Sequence, residues 1–206
     1  MKKRKESEHI FVFNEKARVR AQNKEIILGL RELMGILFEG RGCYELWWTY
    51  LQTKSKSENL HVMLKFKDYF EISGYAYVSN LVLSLHKLYD HRSDVWNIES
   101  LVKDARSLLG DEERIEIQQL IVKAKTIWKK VTILRSNLFA HRNNELSRSG
   151  VYKIAKITPN EFRDLTAFSL RILNYVAVKV YEPVRKFEDI EARDMDEIIG
   201  ILRERI

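Results

Sequence analysis

Residues 111–144 read DEERIEIQQLIVKAKTIWKKVTILRSNLFAHRNN and carry the most sustained apolar stripe of the chain. Apolar side chains recur in it every three or four positions, which is the spacing of one face of an α-helix. They are Ile117, Leu120, Ile121, Ala124, Trp128, Val131, Leu134 and Leu138. Three acids open the stretch, where a helix N-terminus favours negative charge, and Asn143-Asn144 closes it. The pattern predicts the longest helix of the chain, at the centre of a bundle.

The same helical spacing extends to both sides of this stretch. Gly40-Arg41-Gly42 predicts a break, Ser73-Gly74 a break or kink, residues 54–58 a loop, and Val151–Ile157 a brief extended segment. Asn97 and Thr158 are suitable helix N-caps, and Pro159 and Glu161 strengthen the second start signal. Helices are therefore expected at about 14–38, 44–51, 60–89, 98–109, 111–142 and 159–182, with a weaker one near the C-terminus.

Composition supports an all-α chain. Of 206 residues, 45% are hydrophobic and 32% charged, which excludes a disordered or collagen-like chain. Only 8 Gly and 2 Pro leave little turn chemistry for a sandwich or barrel of short strands. We expect a single helical bundle of about six or seven helices with one long central helix. A basic tail (1–13) precedes the bundle (14–187), and a charged C-terminal helix (188–206) packs on it or at a dimer interface.

The single cysteine, Cys43, cannot form a disulfide within one chain, so we expect a cytoplasmic protein. Met1-Lys2-Lys3-Arg4-Lys5 resembles the start of a signal peptide, but the apolar run after it is too short. The sequence contains no uncharged apolar stretch long enough to span a bilayer. We therefore expect no membrane association.

The net charge of +7 is unevenly distributed. Between Asp111 and Ile157 ten bases face five acids, whereas the chain from Arg185 onward is slightly acidic. From charge alone the simpler interpretation is a solvated helix face, whose cations favour a helix C-terminus, and the alternative is a surface that binds phosphates.

The sequence lacks a phosphate-binding glycine loop, a dinucleotide fingerprint, an HExxH pair and a Cys/His cluster. His86 and His91 lie five residues apart without a carboxylate pair at ligand spacing. We therefore expect neither a metal site nor a cofactor.

Arg135 and His141 form an R-x5-H pair near the end of the long helix. Six residues of ideal helix separate them by about 9 Å along the axis and about 240° around it. They would border one groove if the last turn loosened or a second protomer completed the site. Histidine transfers protons near neutral pH, and arginine binds phosphate in bidentate fashion, so the pair suits RNA cleavage without a metal. The simpler interpretation is two cations that stabilise a helix C-terminus.

The segment R-S-N-L-F-A-H, Arg135 to His141, resembles the R-x4-6-H motif of the HEPN superfamily. Leu134-Arg135, Ala140 to Asn143 and the earlier run Leu85 to Asp90 resemble the AbiU-type abortive-infection branch. The similarity in element order covers about Asn14 to Val180. It implies a helical bundle that dimerises, so that two motifs form one composite cleft. Many members are metal-independent ribonucleases in phage defence or toxin–antitoxin systems, and others are non-catalytic.

The resemblance implies that Arg135 and His141 are catalytic. Residues that support the site or bind RNA would be Ser136, Asn137, Arg142, Asn143, Lys129, Lys130 and Asp90. Many relatives carry Asn, Asp or His after the arginine, where this chain has Ser136. Asp90 matches an Asp after the third helix, where it caps the helix or takes part in the site.

Two main hypotheses follow. The first is a ribonuclease that acts on RNA as a homodimer, with an antitoxin protein as a possible partner. The second is a non-catalytic helical dimer that binds RNA, a nucleotide or a partner protein. A purely structural dimerisation domain is the third alternative.

Overall fold

A computed structural model describes residues 16–55, 57–92, 94–140, 148–187 and 193–205. Residues 16–22 are helical. The helices that follow are α1 (Lys24–Ser55), α2 (Ser57–Lys65), α3 (Lys67–Lys87), α4 (Ile98–Asp104), α5 (Asp111–Leu134), α6 (Arg148–Ala155), α7 (Pro159–Lys179) and α8 (Arg193–Glu204). A 3-10 turn (Arg106–Leu108) precedes α5, and a π-helical segment (Arg135–Ala140) follows it. No strand occurs within these ranges, which confirms the all-α prediction.

Helices α1, α3, α5 and α7 form an antiparallel four-helix bundle. Gly40 of α1 approaches Ser84 of α3, and Tyr50 further along α1 approaches Gly74 further back in α3. Trp47 of α1 packs edge-on against Phe162 near the start of α7, with ring centroids 5.8 Å apart. Later residues of α1 thus contact earlier residues of α3, and the second half of α1 contacts the start of α7. Helix α1 is therefore antiparallel to both α3 and α7.

Two ion pairs set the direction of α5 against α7. Lys179 Nζ lies 2.8 Å from Glu113 Oε1, which joins the end of α7 to the start of α5. Lys130 pairs with Glu161 at the opposite end. The two helices are therefore antiparallel, and α5 runs in the same direction as α1.

Apolar faces of all four helices meet in one core. Leu37, Leu85, Leu134 and Leu173 are fully buried in it. Inside this core the Ser169 hydroxyl donates to the Leu165 carbonyl, 2.8 Å away, and accepts from the Tyr89 hydroxyl, 3.0 Å away. Burial raises the pKa of Tyr89 far above its ordinary value, so the phenol remains neutral.

The helix starts predicted at Ile98, Asp111 and Pro159 are confirmed. The Asn97 side chain accepts a hydrogen bond from the Ser100 backbone amide, 2.8 Å away, and Thr158 and Glu161 form the expected capping box. The acids that open α5 contribute as well: Glu113 accepts a hydrogen bond from the Gly110 amide, 2.8 Å away.

The predicted glycine breaks are wrong. Helix α1 continues through Gly40 and Gly42 for 32 residues, which makes it the longest helix, rather than α5. Helix α3 likewise continues through Gly74. Gly40 and Gly74 occur where two helices touch: a Cβ would lie 3.1 Å from Ser84 and 2.9 Å from Tyr50, respectively. These glycines allow α1 and α3 to pack closely, and both helices continue through them without a break.

Three other local predictions differ from the structure. The helix expected over residues 60–89 is divided at Phe66 into α2 and α3, and the loop expected at 54–58 is largely helical. The extended segment expected at Val151–Ile157 falls mostly within α6. Val151 and Ala155, four residues apart, are both buried in the main core, which selects the helix over the strand.

Helix α8 packs on the bundle through a second, smaller core. Ile199 is 4% exposed and lies with Tyr50, Val62, Met63 and Phe70, while Leu202 packs at its edge. The basic tail at 1–13 lies outside the described residues. No helix within the described ranges has both the length and the apolar character needed to cross a bilayer.

Candidate functional site

Arg135 lies where α5 changes from an α-helix to a π-helix. The π-helical segment covers Arg135–Ala140, and a π-helix is wider than an α-helix because its hydrogen bonds join residues five apart. Asn137 supplies a local reason: its side-chain amide donates to the Ile133 carbonyl, 2.8 Å away. In an α-helix that carbonyl accepts from the Asn137 backbone, so the side chain competes with the α-helical pairing. The turn that contains the motif is therefore loosened, and Arg135 is half-buried at its start.

The π-helical segment packs against α3, where His86 lies close to Arg135. Partial burial lowers the pKa of His86, and the positive charge of Arg135 lowers it further, whereas Asp90 opposes the shift. Near neutral pH, His86 is therefore uncharged beside the arginine of the motif.

Trp128 of α5 connects two histidines. Its indole Nε1 donates to the His86 carbonyl, 3.2 Å away, and its ring lies 5.6 Å from the His86 ring. The His91 ring also meets the indole, edge-on, with centroids 5.5 Å apart. Trp128 thus fixes the end of α3 and the residues after it against α5, about two helical turns before Arg135.

Glu99 of α4 completes this cluster. Its Oε2 pairs with Lys125 Nζ at 2.8 Å, and its Oε1 lies 3.8 Å from His91 Nδ1. Oε1 is buried and accepts no hydrogen bond in the described part of the chain. Glu99 therefore links α4 to α5 through Lys125 and leaves one buried oxygen facing His91.

Asp90 belongs to a turn stabilised by Arg92. Its carboxylate accepts hydrogen bonds from the Arg92 backbone amide (3.2 Å) and from Nε (3.0 Å). Burial alone would raise the pKa of Asp90, but these hydrogen bonds outweigh burial and keep the pKa below its ordinary value. The structure brings Asp90 and Arg135 close to the same histidine, but no hydrogen bond or ion pair joins them across the described ranges.

Lys129 and Lys130 have different environments. Lys129 is exposed on α5 and available to a ligand. Lys130 donates to the Lys156 carbonyl at 3.0 Å and pairs with Glu161, so it links α5 to the chain between α6 and α7. Ser136 is half-buried in the π-helical segment. His141, Arg142 and Asn143 lie outside the described residues.

The spacing of apolar residues predicts Trp128 only as part of the apolar face of the helix, and its contacts with His86 and His91 are visible only in the structure. The one available signal was the position of His86 and His91 on either side of a helix end. The part of the chain that the structure describes contains no group of three potential metal ligands.

The all-α bundle, with Arg135 at the end of a core helix and His141 six residues later in the sequence, fits the resemblance to the HEPN superfamily. Comparison with known families is consistent with this: the HEPN_AbiU2 family model, described as AbiU2, matches residues 24–198. The chain therefore belongs to the AbiU2 family of HEPN proteins. Searches of curated proteins and of solved structures gave no match.

Proposed function

We propose that this protein is a metal-independent ribonuclease of phage defence or of a toxin–antitoxin system. The observation that carries the proposal is the position of Arg135 at the start of a loosened helical turn, beside His86, in a chain of the AbiU2 family. A half-buried guanidinium retains its charge and can hold a phosphate with two parallel hydrogen bonds.

In the proposed reaction His141 removes the proton from the 2′-hydroxyl of RNA. The 2′-oxygen attacks the adjacent phosphorus, the bond to the 5′-oxygen breaks, and that oxygen takes up a proton. The products are a 2′,3′-cyclic phosphate and a 5′-hydroxyl end. Arg135 neutralises the charge that develops on the phosphate oxygens. Lys129, Arg142 and Asn143 would contact neighbouring phosphates.

We further propose that the active form is a homodimer in which the motifs of two copies line one cleft. A protein antitoxin would then inhibit the enzyme by covering this cleft. Family membership supports both ideas, and the half-exposed setting of Arg135 leaves room for a second chain.

The test is cleavage of a fluorogenic RNA in the presence of EDTA. We expect Arg135→Ala to lower the rate by about 10²–10³-fold and His141→Ala by about 10²–10⁴-fold. Arg106→Ala, which removes an exposed arginine near the opposite end of α5, serves as the control and should leave the rate unchanged. A substrate with 2′-deoxyribose at every position should resist cleavage.

Equal rates for the wild type and both motif variants would remove Arg135 and His141 from the mechanism. Salt-sensitive RNA binding by a dimer without cleavage would favour the non-catalytic binding module instead. Sedimentation velocity on the same samples should give twice the 24.5 kDa mass of the chain.

A further inference from the structure

A cavity of about 560 Å³ lies between α1, the end of α7 and the chain that follows α7. This volume is in the range of small-molecule sites. Its walls combine the apolar residues Leu30, Met34 and Phe38 with the charged residues Arg20, Arg31, Glu182 and Arg185. We call it the arginine cavity. Nothing in the proposed ribonuclease reaction uses it.

One carboxylate holds two of the arginines in place. Arg31 binds Glu182 in bidentate fashion, with Nε and Nη2 each 3.0 Å from a carboxylate oxygen. Arg20 Nη2 lies 3.1 Å from the same carboxylate and 2.7 Å from the Tyr181 carbonyl. The hydrogen bond from Arg31 lowers the pKa of Glu182, so this carboxylate stays ionised at neutral pH.

The third arginine is held by its backbone. The Asn174 side chain donates to the Arg185 carbonyl (2.9 Å) and accepts from the Arg185 amide (3.0 Å). The Arg185 guanidinium makes no hydrogen bond or ion pair within the described ranges, and the residue is exposed. The arginine cavity thus presents one guanidinium whose backbone is positioned and whose donors are unused.

The backbone turns sharply after α7 and so places Glu182 and Arg185 at the arginine cavity. Tyr181 adopts a left-handed conformation (φ 54°), and the Glu182 amide donates to the Ala177 carbonyl, 2.9 Å away. This is a Schellman cap, which ends the helix and turns the chain back. Further on, Phe187 packs against Phe38 of α1 with ring centroids 5.4 Å apart, which fixes the return path.

We propose that the arginine cavity binds a phosphate monoester that carries an apolar or aromatic body, of which a nucleoside monophosphate is the representative. Three guanidinium groups against one carboxylate leave two uncompensated positive charges. A phosphate monoester at neutral pH carries about −1.5 to −2, which balances them. Guanidinium groups match the geometry of phosphate oxygens, and Leu30, Met34 and Phe38 provide a surface for the rest of the ligand.

This site is distinct from the proposed cleavage site. Lys179 and Glu113 place the end of α7 beside the start of α5, whereas Arg135 lies past the other end of α5. At 1.5 Å per residue, about 33 Å of helix separates the two levels. The proposed ligand site therefore does not overlap the proposed cleavage site, and the binding proposal does not rest on the ribonuclease proposal.

Isothermal titration calorimetry with adenosine 5′-monophosphate tests the proposal on the full chain. We expect saturable binding with one site per chain. Adenosine, which lacks the charge, and inorganic phosphate, which lacks the body, should each bind at least tenfold more weakly. Equal affinity for adenosine and its monophosphate would overturn the assignment, as would the absence of saturable binding to the wild type.

Two glycines of α1 allow a steric test with a matched control. A Cβ at Gly35, which lines the cavity, would meet nothing within 4 Å, and the same holds for Gly42, two helical turns away. Gly35→Leu should fill the cavity and abolish binding, while Gly42→Leu should bind like the wild type. Binding that survives Gly35→Leu would exclude the arginine cavity as the site.

Arg185→Ala tests the charge. Because hydrogen bonds to charged groups are strong, we expect it to weaken binding about tenfold to a hundredfold. Lys67→Ala removes an exposed cation at the far end of α3 and should have no effect. If the two substitutions weaken binding equally, the attraction is a general one to a basic protein and the proposal fails.

Discussion

At the residue scale, Trp128 organises the surroundings of Arg135. It donates to the His86 carbonyl and contacts the rings of both His86 and His91. Its place on the helical face was predictable from the spacing of apolar residues. Its histidine partners were not, because they belong to another helix and to the loop after it, and spacing along one helix carries no information about neighbours on the next.

The pKa of His86 is predicted to report directly on Arg135. It lies below the ordinary value of 6.5, first through burial and then through the charge of Arg135. Arg135→Gln should raise it and Asp90→Asn should lower it further, measured by NMR titration of the imidazole carbon-bound protons. Lys129→Gln, which removes a nearby exposed charge, should leave it unchanged. A His86 pKa insensitive to Arg135→Gln would show that the two side chains do not interact.

The same shift has a consequence for stability. A histidine whose pKa is lowered by folding binds fewer protons in the native state than in the unfolded state. Its contribution is therefore complete above the unfolded value of about 6.5 and is lost as the pH falls toward the lower native pKa. Acidification below neutrality should accordingly reduce the free energy of unfolding, and His86→Gln should diminish this dependence.

At the element scale, the glycines of α1 serve two different purposes. Gly29 approaches the Trp96 ring so closely that a Cβ would lie 2.6 Å from it, whereas Gly42 has open space around its Cα. Sequence reasoning treated Gly40 and Gly42 as breaks because glycine disfavours helix. The sequence pattern of α1 alone does not show that α3 packs close to Gly40. That packing offsets the low helix propensity of glycine.

These two positions should respond oppositely to the same substitution. Gly42→Ala is expected to stabilise the protein by about 0.5–1 kcal/mol, because alanine favours the helix and meets no obstacle. Gly29→Ala is expected to destabilise it by about 1–3 kcal/mol, because Trp96 or the helix must shift. Urea denaturation followed by circular dichroism measures both. Stabilisation by both substitutions would contradict the close packing of Gly29 on Trp96.

At the scale of the whole molecule, the sequence predicted the fold class and the central segments of most helices. Capping residues such as Asn97 and Thr158 located helix starts well, because caps are local chemistry. The division at Phe66 escaped prediction, since it depends on how α2 and α3 meet α1 and α8. For the site, Arg135 was identified from the motif, but its neighbours His86 and Trp128 required the packing of α3 on α5.

Helix α8 is predicted to fold together with the bundle. Ile199 is 4% exposed in the second core, whereas Ile201, two residues later, is 53% exposed. Ile199→Ala should lower the free energy of unfolding by about 2–5 kcal/mol, and Ile201→Ala should change it by less than about 0.5 kcal/mol. Thermal or urea unfolding of the full chain distinguishes them. Similar small effects for both would mean that α8 detaches before the bundle unfolds.

The pairing of Arg31 with Glu182 joins positions 151 residues apart. Contacts of such sequence separation carry a large loop-closure cost and form late, whereas α1 and α3 meet across a short connection and can associate early. On a ribosome, which releases the chain from its N-terminus, the α1–α3 hairpin precedes α7 by many seconds. Until Glu182 emerges, Arg20 and Arg31 lack their carboxylate. A nascent chain therefore exposes a basic, partly apolar surface whose positive charge meets the Glu182 carboxylate only after α7 has been made.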